Sequence, residues 1–163
     1  MRLRRLFAIL ILAVTSTAAS SVAACPNPDM GALAQLRSNG AALRMGQSRR
    51  ATGGGPVTLD GCPGVTLDAT PPMMFSDAPS MTADLSGMLG LAMEIRADGP
   101  CATGLLIRTA AGDWFYDDSG RGAGLPRLML RKPGTGQMQI WIGTPDGAVC
   151  RTRVNLMTYP AFG

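Results

Sequence analysis

The clearest signal in the chain is an alternation of apolar and polar side chains in its second half. Leu89, Leu91, Met93 and Ile95 are separated by single small or charged residues, and this period of two is typical of a half-buried β-strand. Three more segments predict short strands between turn-forming residues: 102–109, 114–116 and 127–131. Short strands at this spacing predict an all-β sandwich or barrel.

The last two strands are predicted to form a hairpin around the turn signal Pro145-Asp146-Gly147. Their inward-facing residues are Met138, Ile140, Ile142, Thr152, Val154 and Leu156. Successive side chains of a strand point to opposite faces. The outward face of this hairpin therefore brings Trp141 opposite Arg153 and Gln139 opposite Asn155.

The first half of the chain has a weaker pattern. We expect Asp29 to cap one or two helical turns that end at Leu36. Residues 57–59 and 73–76 are predicted as short strands between Gly- and Pro-rich loops. The N-terminal segment of the fold is thus expected to be short and helical or irregular.

The first residues have the layout of a secretory signal peptide. Three arginines precede nine apolar residues (6–14), and small residues follow as far as Ala24. An apolar run of this length is too short to span a bilayer, which needs roughly 20 residues, but it suits a signal peptide. We therefore predict an exported protein, periplasmic or extracellular, with residues 1–24 as the signal peptide and residues 25–163 as a single domain.

Composition excludes several classes of function. The sequence has no histidine, so it holds neither a Ser-His-Asp nor a Cys-His nucleophile, nor the usual histidine-containing zinc sites. Three of its 15 basic residues lie in the leader, which leaves twelve against 11 acidic residues. A nucleic-acid-binding protein needs a larger basic surplus, so that class is excluded too.

Four cysteines in an exported chain predict two disulfides. Cys101 and Cys150 open two predicted strands, so we favour the pairs Cys25–Cys62 and Cys101–Cys150 over the other connectivities. A competing interpretation is that Val22-Ala23-Ala24-Cys25 is a lipobox, whose cysteine is acylated. Lipidation would leave three cysteines and one unpaired thiol, so the even number favours the disulfides.

Five short motifs follow one another in the second half: Leu105-Leu106-Ile107, Gly112-Asp113-Trp114, Asp117-Asp118-Ser119, Leu125-Pro126-Arg127 and Met138-Gln139-Ile140-Trp141-Ile142-Gly143. Across residues 89–159 they resemble the bacterial pre-peptidase C-terminal domain, and more closely a group of short exported bacterial proteins often labelled serine peptidases. The pattern usually has an aromatic or aliphatic residue where this chain has Met138. The resemblance implies a jelly-roll-like antiparallel β-sandwich of a binding or accessory kind, and some such domains bind calcium or attach to polymers.

Asp113, Asp117 and Asp118 form a candidate metal site. Adjacent carboxylates in a turn, with Ser119 beside them, are hard oxygen ligands suited to Ca²⁺, the one cofactor that the sequence suggests. The alternative is ordinary turn chemistry, in which aspartates accept hydrogen bonds from backbone N–H groups. An EF-hand loop would continue with spaced acids and a glutamate, and this segment does not.

The outward face of the predicted hairpin is a candidate ligand-binding site made of Trp141, Arg153, Gln139 and Asn155. An exposed tryptophan beside these polar groups would bind a glycan, a peptide or another protein. Two alternatives remain: the tryptophan stacks with the arginine to stabilise the sheet surface, or it is buried against a second sheet. Glu94 is the only glutamate and is expected to be a solvated strand residue that pairs with an arginine, so the carboxylate pair that glycoside hydrolysis requires is not predicted.

Together these patterns predict an exported, non-catalytic binding or accessory module of the bacterial cell envelope. Its partner would be an envelope protein or polymer, and it would meet the membrane only through the signal peptide or a lipid on Cys25. The alternative is a secreted hydrolase, as the peptidase label implies. The absence of histidine disfavours that alternative because a conventional peptidase triad cannot form.

Overall fold

Two β-sheets pack face to face in the computed structural model, which describes residues 25–67, 73–101, 103–119 and 125–161. The strands within these residues are β1 (Ala34–Asn39), β2 (Gln47–Gly53), β3 (Met81–Ser86), β4 (Leu91–Asp98), β5 (Gly104–Arg108), β6 (Trp114–Asp117), β7 (Arg127–Leu130), β8 (Gly136–Gly143) and β9 (Cys150–Pro160). Sheet A has the order β1-β3-β8-β5-β6, and sheet B has the order β2-β9-β4-β7. β1 runs parallel to β3, and the other paired strands are antiparallel. The predicted all-β sandwich is confirmed.

The chain crosses from one sheet to the other between most consecutive strands. Among the strands described, β5 and β6 are the one consecutive pair joined to each other by hydrogen bonds. The last strand, β9, lies between β2 and β4 in sheet B, whereas β8 lies between β3 and β5 in sheet A. The predicted hairpin of the last two strands is therefore wrong, because residues 144–149 carry the chain across the sandwich instead of turning it back.

The main core lies between the inner faces of the two sheets. Met138, Ile140 and Ile142 of β8 are buried there with Val154 and Leu156 of β9, and each is at most 1% exposed. Burying a side chain of this size stabilises the fold by roughly 1.5–3 kcal/mol. The alternation predicted for these two strands is thus confirmed, although they belong to different sheets.

A second apolar layer covers the outer face of sheet A. Leu59, Met73 and Phe75 pack there against Leu106 and Trp141 of the sheet, and all five side chains are at most 1% exposed. The covering segment approaches from the loops between β2 and β3. The central strands of sheet A are consequently buried on both faces. For this reason the outer face of sheet A has Leu106 and Trp141 at positions where a half-buried strand would have polar residues.

The N-terminal segment forms turns and a strand rather than the predicted helix. The side chain of Asn27 accepts a hydrogen bond from the backbone N–H of Asp29 at 2.9 Å, so the aspartate sits in a turn and does not cap a helix. Leu36, the predicted helix end, lies in the middle of β1. β1 pairs with β3 along its whole length, and this row of backbone hydrogen bonds outweighs a short exposed helix.

The three strands described in the first half, β1, β2 and β3, were not among the predicted strands. β1 and β2 lie at sheet edges, and β2 buries two of its residues, so neither shows a strong hydrophobic period. β3 does show one, since Met81, Ala83 and Leu85 are buried and alternate with more exposed residues. The segments predicted as strands at 57–59 and 73–76 form isolated β-bridges instead.

Both predicted disulfides are present. Cys25 is bonded to Cys62 and Cys101 to Cys150, with Cα–Cα distances of 5.6 and 6.4 Å. The first bond ties the N-terminal segment to the layer over sheet A, and the second ties the loop after β4 to the start of β9. None of the helices in the described part of the chain is long and apolar enough to cross a membrane. The predicted signal peptide, residues 1–24, lies outside the described residues.

Candidate functional site

The outer face of sheet B is the open face of the sandwich. Along β9, Thr152 and Val154 point into the core while Arg151 and Arg153 are exposed. Residues directly opposed on neighbouring strands share a face, so the outward residues of β2, β4 and β7 join this surface. Its five arginines are Arg50, Arg96, Arg127, Arg151 and Arg153, and its two acids are Glu94 and Asp98.

Two arginines face each other across neighbouring strands at one end of this surface. Arg50 of β2 lies directly opposite Arg153 of β9, and Arg151 lies on the same side of β9. Like charges directly opposed on a sheet repel each other. No ion pair between described residues includes Arg50, Arg151 or Arg153. Arg49 lies opposite the buried Val154 and so on the other side of β2 from Arg50. It is exposed at this sheet edge, and its Nη1 donates to the backbone oxygen of Ser48 at 3.0 Å.

These cationic side chains line an open groove of about 1170 Å³ that runs from the edges of β1 and β2 across β9. It is named here the arginine groove and is defined by Arg49, Arg50, Arg151 and Arg153. Two largely exposed apolar side chains flank it, Leu33 before β1 and Val149 before β9. Arginine is one of the residues enriched in protein-binding surfaces, and exposed apolar side chains beside it add surface that a partner can cover.

Asp98 contributes a carboxylate to the wall of the arginine groove. Its Oδ2 accepts a hydrogen bond from the Nδ2 of Asn155, and its backbone oxygen accepts one from the Oγ1 of Thr152 at 2.6 Å. Its Oδ1 is buried and accepts no hydrogen bond from any residue that the structure describes. A buried carboxylate oxygen without a donor is unfavourable, and the carboxylate of Asp98 is held in place through its other oxygen by Asn155.

The centre of the open face holds an ion-pair network. Glu94 is 8% exposed, with its Oε2 at 2.7 Å from the Nη2 of Arg127 and its Oε1 at 3.5 Å from the Nε of Arg96. The expectation that this glutamate is solvated is wrong, because Met129 and Met157 lie opposite it on the two neighbouring strands. Since both carboxylate oxygens face arginines, the network is suited to holding β4 and β7 together and not to proton transfer.

The structure separates the four residues of the predicted ligand-binding face. Trp141 and Gln139 lie on β8 in sheet A, whereas Arg153 and Asn155 lie on β9 in sheet B. The prediction that Trp141 lies opposite Arg153 is wrong, because the segment after β8 crosses to the other sheet. Arg153 and Asn155 do lie on the outward side of β9, as predicted, and both line the arginine groove.

Trp141 is buried beneath the layer that covers sheet A. Its ring centroid lies 5.3 Å from that of Trp114, and its indole Nε1 donates a hydrogen bond to the backbone oxygen of Asp77 at 3.2 Å. Gln139 is 6% exposed, and its Nε2 donates to the backbone oxygen of Pro28 at 3.3 Å. Of the alternatives left open by the sequence, burial is the one that describes this tryptophan.

The three aspartates of the candidate calcium site do not converge on one point. Asp113 precedes β6 and Asp117 ends it, and strand residues rise about 3.3 Å each. Asp117 accepts hydrogen bonds from the backbone N–H of Ser119 at 3.0 Å, from its hydroxyl at 2.8 Å, and from the backbone N–H of Arg127. This is the turn chemistry of the alternative interpretation, and Asp118 follows within the same turn. Within the described ranges no group of three acidic or cysteine side chains is arranged to hold a metal ion.

The sequence pattern did not predict the part of the arginine groove that comes from the first half of the chain. Arg49 and Arg50 belong to β2, which the hydrophobic pattern did not predict, and Leu33 lies in the segment expected to be helical. The usable signal is a pair of arginines in a seven-residue segment without acids, because cationic side chains are common on exposed edge strands.

No protein-family model matches the chain, and no curated protein matches it. The resemblance to the pre-peptidase C-terminal domain therefore has no family match to support it. Among solved structures, the crystal structure of PliG from Aeromonas hydrophila, a periplasmic lysozyme inhibitor of g-type lysozyme, is similar to this chain at 11% sequence identity and a TM-score of 0.44. That similarity covers 77% of this chain and 96% of the other.

Proposed function

We propose that the protein is an exported, non-catalytic binding module whose arginine groove holds an acidic segment of a partner protein in the bacterial cell envelope. The observation that carries the proposal is the direct opposition of Arg50 and Arg153, neither of which is in an ion pair with a described residue. Opposed like charges destabilise a sheet surface. Asp98 lies opposite Arg153 on the other neighbouring strand and offsets part of this repulsion. A ligand carboxylate placed between Arg50 and Arg153 would offset the rest, which favours an acidic ligand.

The chemistry of the groove suits carboxylates in particular. A guanidinium is a planar fork of N–H donors that binds a carboxylate through two parallel hydrogen bonds. Arg151 and Arg153 alternate along one strand with Arg50 across from them, so an extended segment with acids at alternate positions would match their spacing.

The exposed apolar side chains favour a protein partner over an anionic polymer. Leu33 and Val149 flank the groove and are largely exposed. A polyphosphate or an acidic polysaccharide offers little apolar surface to cover them, whereas protein interfaces combine arginine with apolar contacts in one patch.

Export and a non-catalytic role rest on separate observations. Disulfides persist in oxidising compartments outside the cytoplasm, and the chain has two together with a leader that has the layout of a signal peptide. The sequence has no histidine, and Glu94 faces arginines with both oxygens. These facts support binding as the role of the open face.

The experiment titrates a fluorescently labelled peptide of alternating glutamate and leucine into the purified, disulfide-bonded protein. We expect the double variant Arg50→Gln/Arg153→Gln to weaken binding by about 100-fold, since each hydrogen bond to a charged group contributes about 1.5–3 kcal/mol. Arg44→Gln is the matched control, because it removes an exposed charge from the short 3-10 helix Ala42–Met45, outside the groove. An unchanged affinity in the double variant would contradict the assignment of the site.

Leu33→Ser distinguishes a protein partner from a polymer. Covering an exposed leucine contributes about 1.5 kcal/mol or more, so Leu33→Ser should lower the affinity for the peptide by about tenfold. Polyphosphate that binds as tightly as the peptide, with no effect of Leu33→Ser on either ligand, would mean that the groove recognises anionic polymers.

A further inference from the structure

A second groove lies on the same open face, at the opposite end of β4. Ala92 near the start of β4 lines it, whereas Asp98 at the end of β4 lines the arginine groove. The volume of the second groove is about 1010 Å³, at the upper end of the roughly 300–1,000 Å³ usual for small-molecule sites. The two grooves have no lining residue in common.

The walls of the second groove are apolar side chains that remain in contact with solvent. Leu89, in the turn before β4, is 98% exposed, and Met129 of β7 is 45% exposed. Tyr159 lies opposite Ala92, and the single methyl group of Ala92 leaves a hollow beside the phenol ring. The hydroxyl of Tyr159 donates to the sulfur of Met157 at 3.0 Å, which fixes the ring at the side of the hollow. Clustered exposed apolar side chains of this kind mark a binding surface.

One rim of the second groove is cationic. Arg131 and Lys132 follow β7 and are exposed, and no ion pair recorded for the described part of the chain involves either of them. Arg127 also lines the groove, but its charge is balanced by Glu94 at 2.7 Å. None of the described lining residues is acidic. The groove is therefore apolar along its walls and positively charged at one end.

We propose that this second groove binds a single-chain amphipathic carboxylate, chemically a fatty acid, with the alkyl chain beside Ala92 and Met129 and the carboxylate at Arg131 and Lys132. The positive rim selects an anionic head, and the uncharged walls select an alkyl body. An acidic peptide suits these walls less well, because its backbone N–H and C=O groups would lose water without gaining partners.

The experiment compares decanoate, decyltrimethylammonium and decanol, each below its aggregation concentration, by calorimetry on the purified, disulfide-bonded protein. We expect decanoate to bind with one-to-one stoichiometry and the cation of equal chain length to bind about tenfold or more weakly. The double variant Arg131→Gln/Lys132→Gln should lower the affinity for decanoate by about tenfold and leave that for decanol unchanged. Arg44→Gln, which removes a charge elsewhere, should change neither affinity.

Ala92→Phe tests the alkyl site, because the added ring fills the hollow beside Tyr159 and should abolish binding of both decanoate and decanol. Ala111→Phe places the same ring on an exposed turn between β5 and β6 and serves as its control. The charge variants alter exposed side chains only, so they remain informative even where Ala92→Phe impairs folding.

Three results would overturn this proposal. The first is equal binding of decanoate and decyltrimethylammonium, and the second is decanoate binding that survives Ala92→Phe in a folded protein. The third is binding to anionic phospholipid vesicles without binding of monomeric decanoate, which would make the surface a membrane contact. The variant Arg50→Gln/Arg153→Gln should bind decanoate normally. The peptide-binding proposal for the arginine groove and the fatty-acid proposal for the second groove can therefore fail independently of each other.

Discussion

Trp114 and Trp141 stack at the centre of the layer that covers sheet A, with their ring centroids 5.3 Å apart. Trp141 comes from the interior strand β8 and Trp114 from the edge strand β6. The guanidinium carbon of Arg108 lies 5.9 Å from the Trp114 ring, within the range of a cation–π contact. The sequence has two tryptophans, so all of its tryptophan fluorescence comes from this layer.

Replacing Trp141 by alanine should destabilise the protein by about 3–5 kcal/mol, as truncation of a fully buried aromatic side chain does. Chemical denaturation followed by far-ultraviolet circular dichroism measures the change in the free energy of unfolding. Phe115→Ala is the matched control, because Phe115 is 39% exposed on the edge strand β6. Its replacement should lower the free energy of unfolding much less than Trp141→Ala does. A Trp141→Ala variant as stable as that control would contradict the burial of the indole.

Each disulfide should contribute about 4 kcal/mol by the chain-entropy model, since the two bonds close segments of 37 and 49 residues. Tryptophan emission should separate their local roles. Cys25→Ser/Cys62→Ser should shift the emission of the folded protein to longer wavelengths, because this bond ties down the layer over both indoles. Cys101→Ser/Cys150→Ser should leave the emission unchanged. Equal emission from the two double variants would contradict a specific role for Cys25–Cys62 in that layer.

The ion pairs of Glu94 and Asp84 should differ in their contribution to stability. Glu94→Ala removes a nearly buried carboxylate that faces two arginines and should cost about 1.5–3 kcal/mol. Asp84→Ala removes an exposed carboxylate that pairs with Arg37 at 3.0 Å, and exposed pairs contribute about 0–1 kcal/mol. Thermal and urea unfolding of the two variants provide the comparison, and equal losses would contradict the structural role of Glu94.

The mass of the protein recovered from its native compartment tests export and the state of Cys25. We expect a chain that begins at Cys25, carries two disulfides and has no free thiol. In the structure the sulfur of Cys25 is bonded to Cys62, so acylation of that sulfur would leave Cys62 reduced. A diacylglyceryl mass on Cys25, together with one reactive thiol, would support the lipobox interpretation instead.

What could be predicted from the sequence is which side chains of a single strand face the main core. The inward residues of β8 and β9 follow from a period of two because each strand has one face in the main core. The same rule placed Glu94 on the outward side of β4 correctly, but it could not reveal that this side chain is buried. Its burial comes from Met129 and Met157 on neighbouring strands, and the order of strands in a sheet is not visible in one strand.

The pairing of strands could not be predicted from local turn signals. Pro145-Asp146-Gly147 indicates a turn, and one is present, with the backbone N–H of Gly147 donating to the oxygen of Thr144 at 3.4 Å. A turn alone does not say whether the chain returns to its own sheet or crosses to the other. Near this crossing β2 meets β8, where a Cβ added at Gly53 would lie 2.5 Å from Ile142. That contact joins residues far apart in the sequence, and so does the pairing of β2 with β9 that places Arg50 opposite Arg153. Turn signals do not reveal either of them, so the arginine groove was not predicted.

The central place of β9 in sheet B constrains the order in which the protein can acquire its structure. β2 and β4 do not pair with each other, and β9 is the strand that joins β2 to the pair formed by β4 and β7. β8 likewise joins β3 to β5 in sheet A. A chain that emerges N-terminus first on the far side of a membrane therefore cannot complete either sheet until its final strands arrive. Such a topology leaves the completion of both sheets to the last residues of the described chain, from β8 onward.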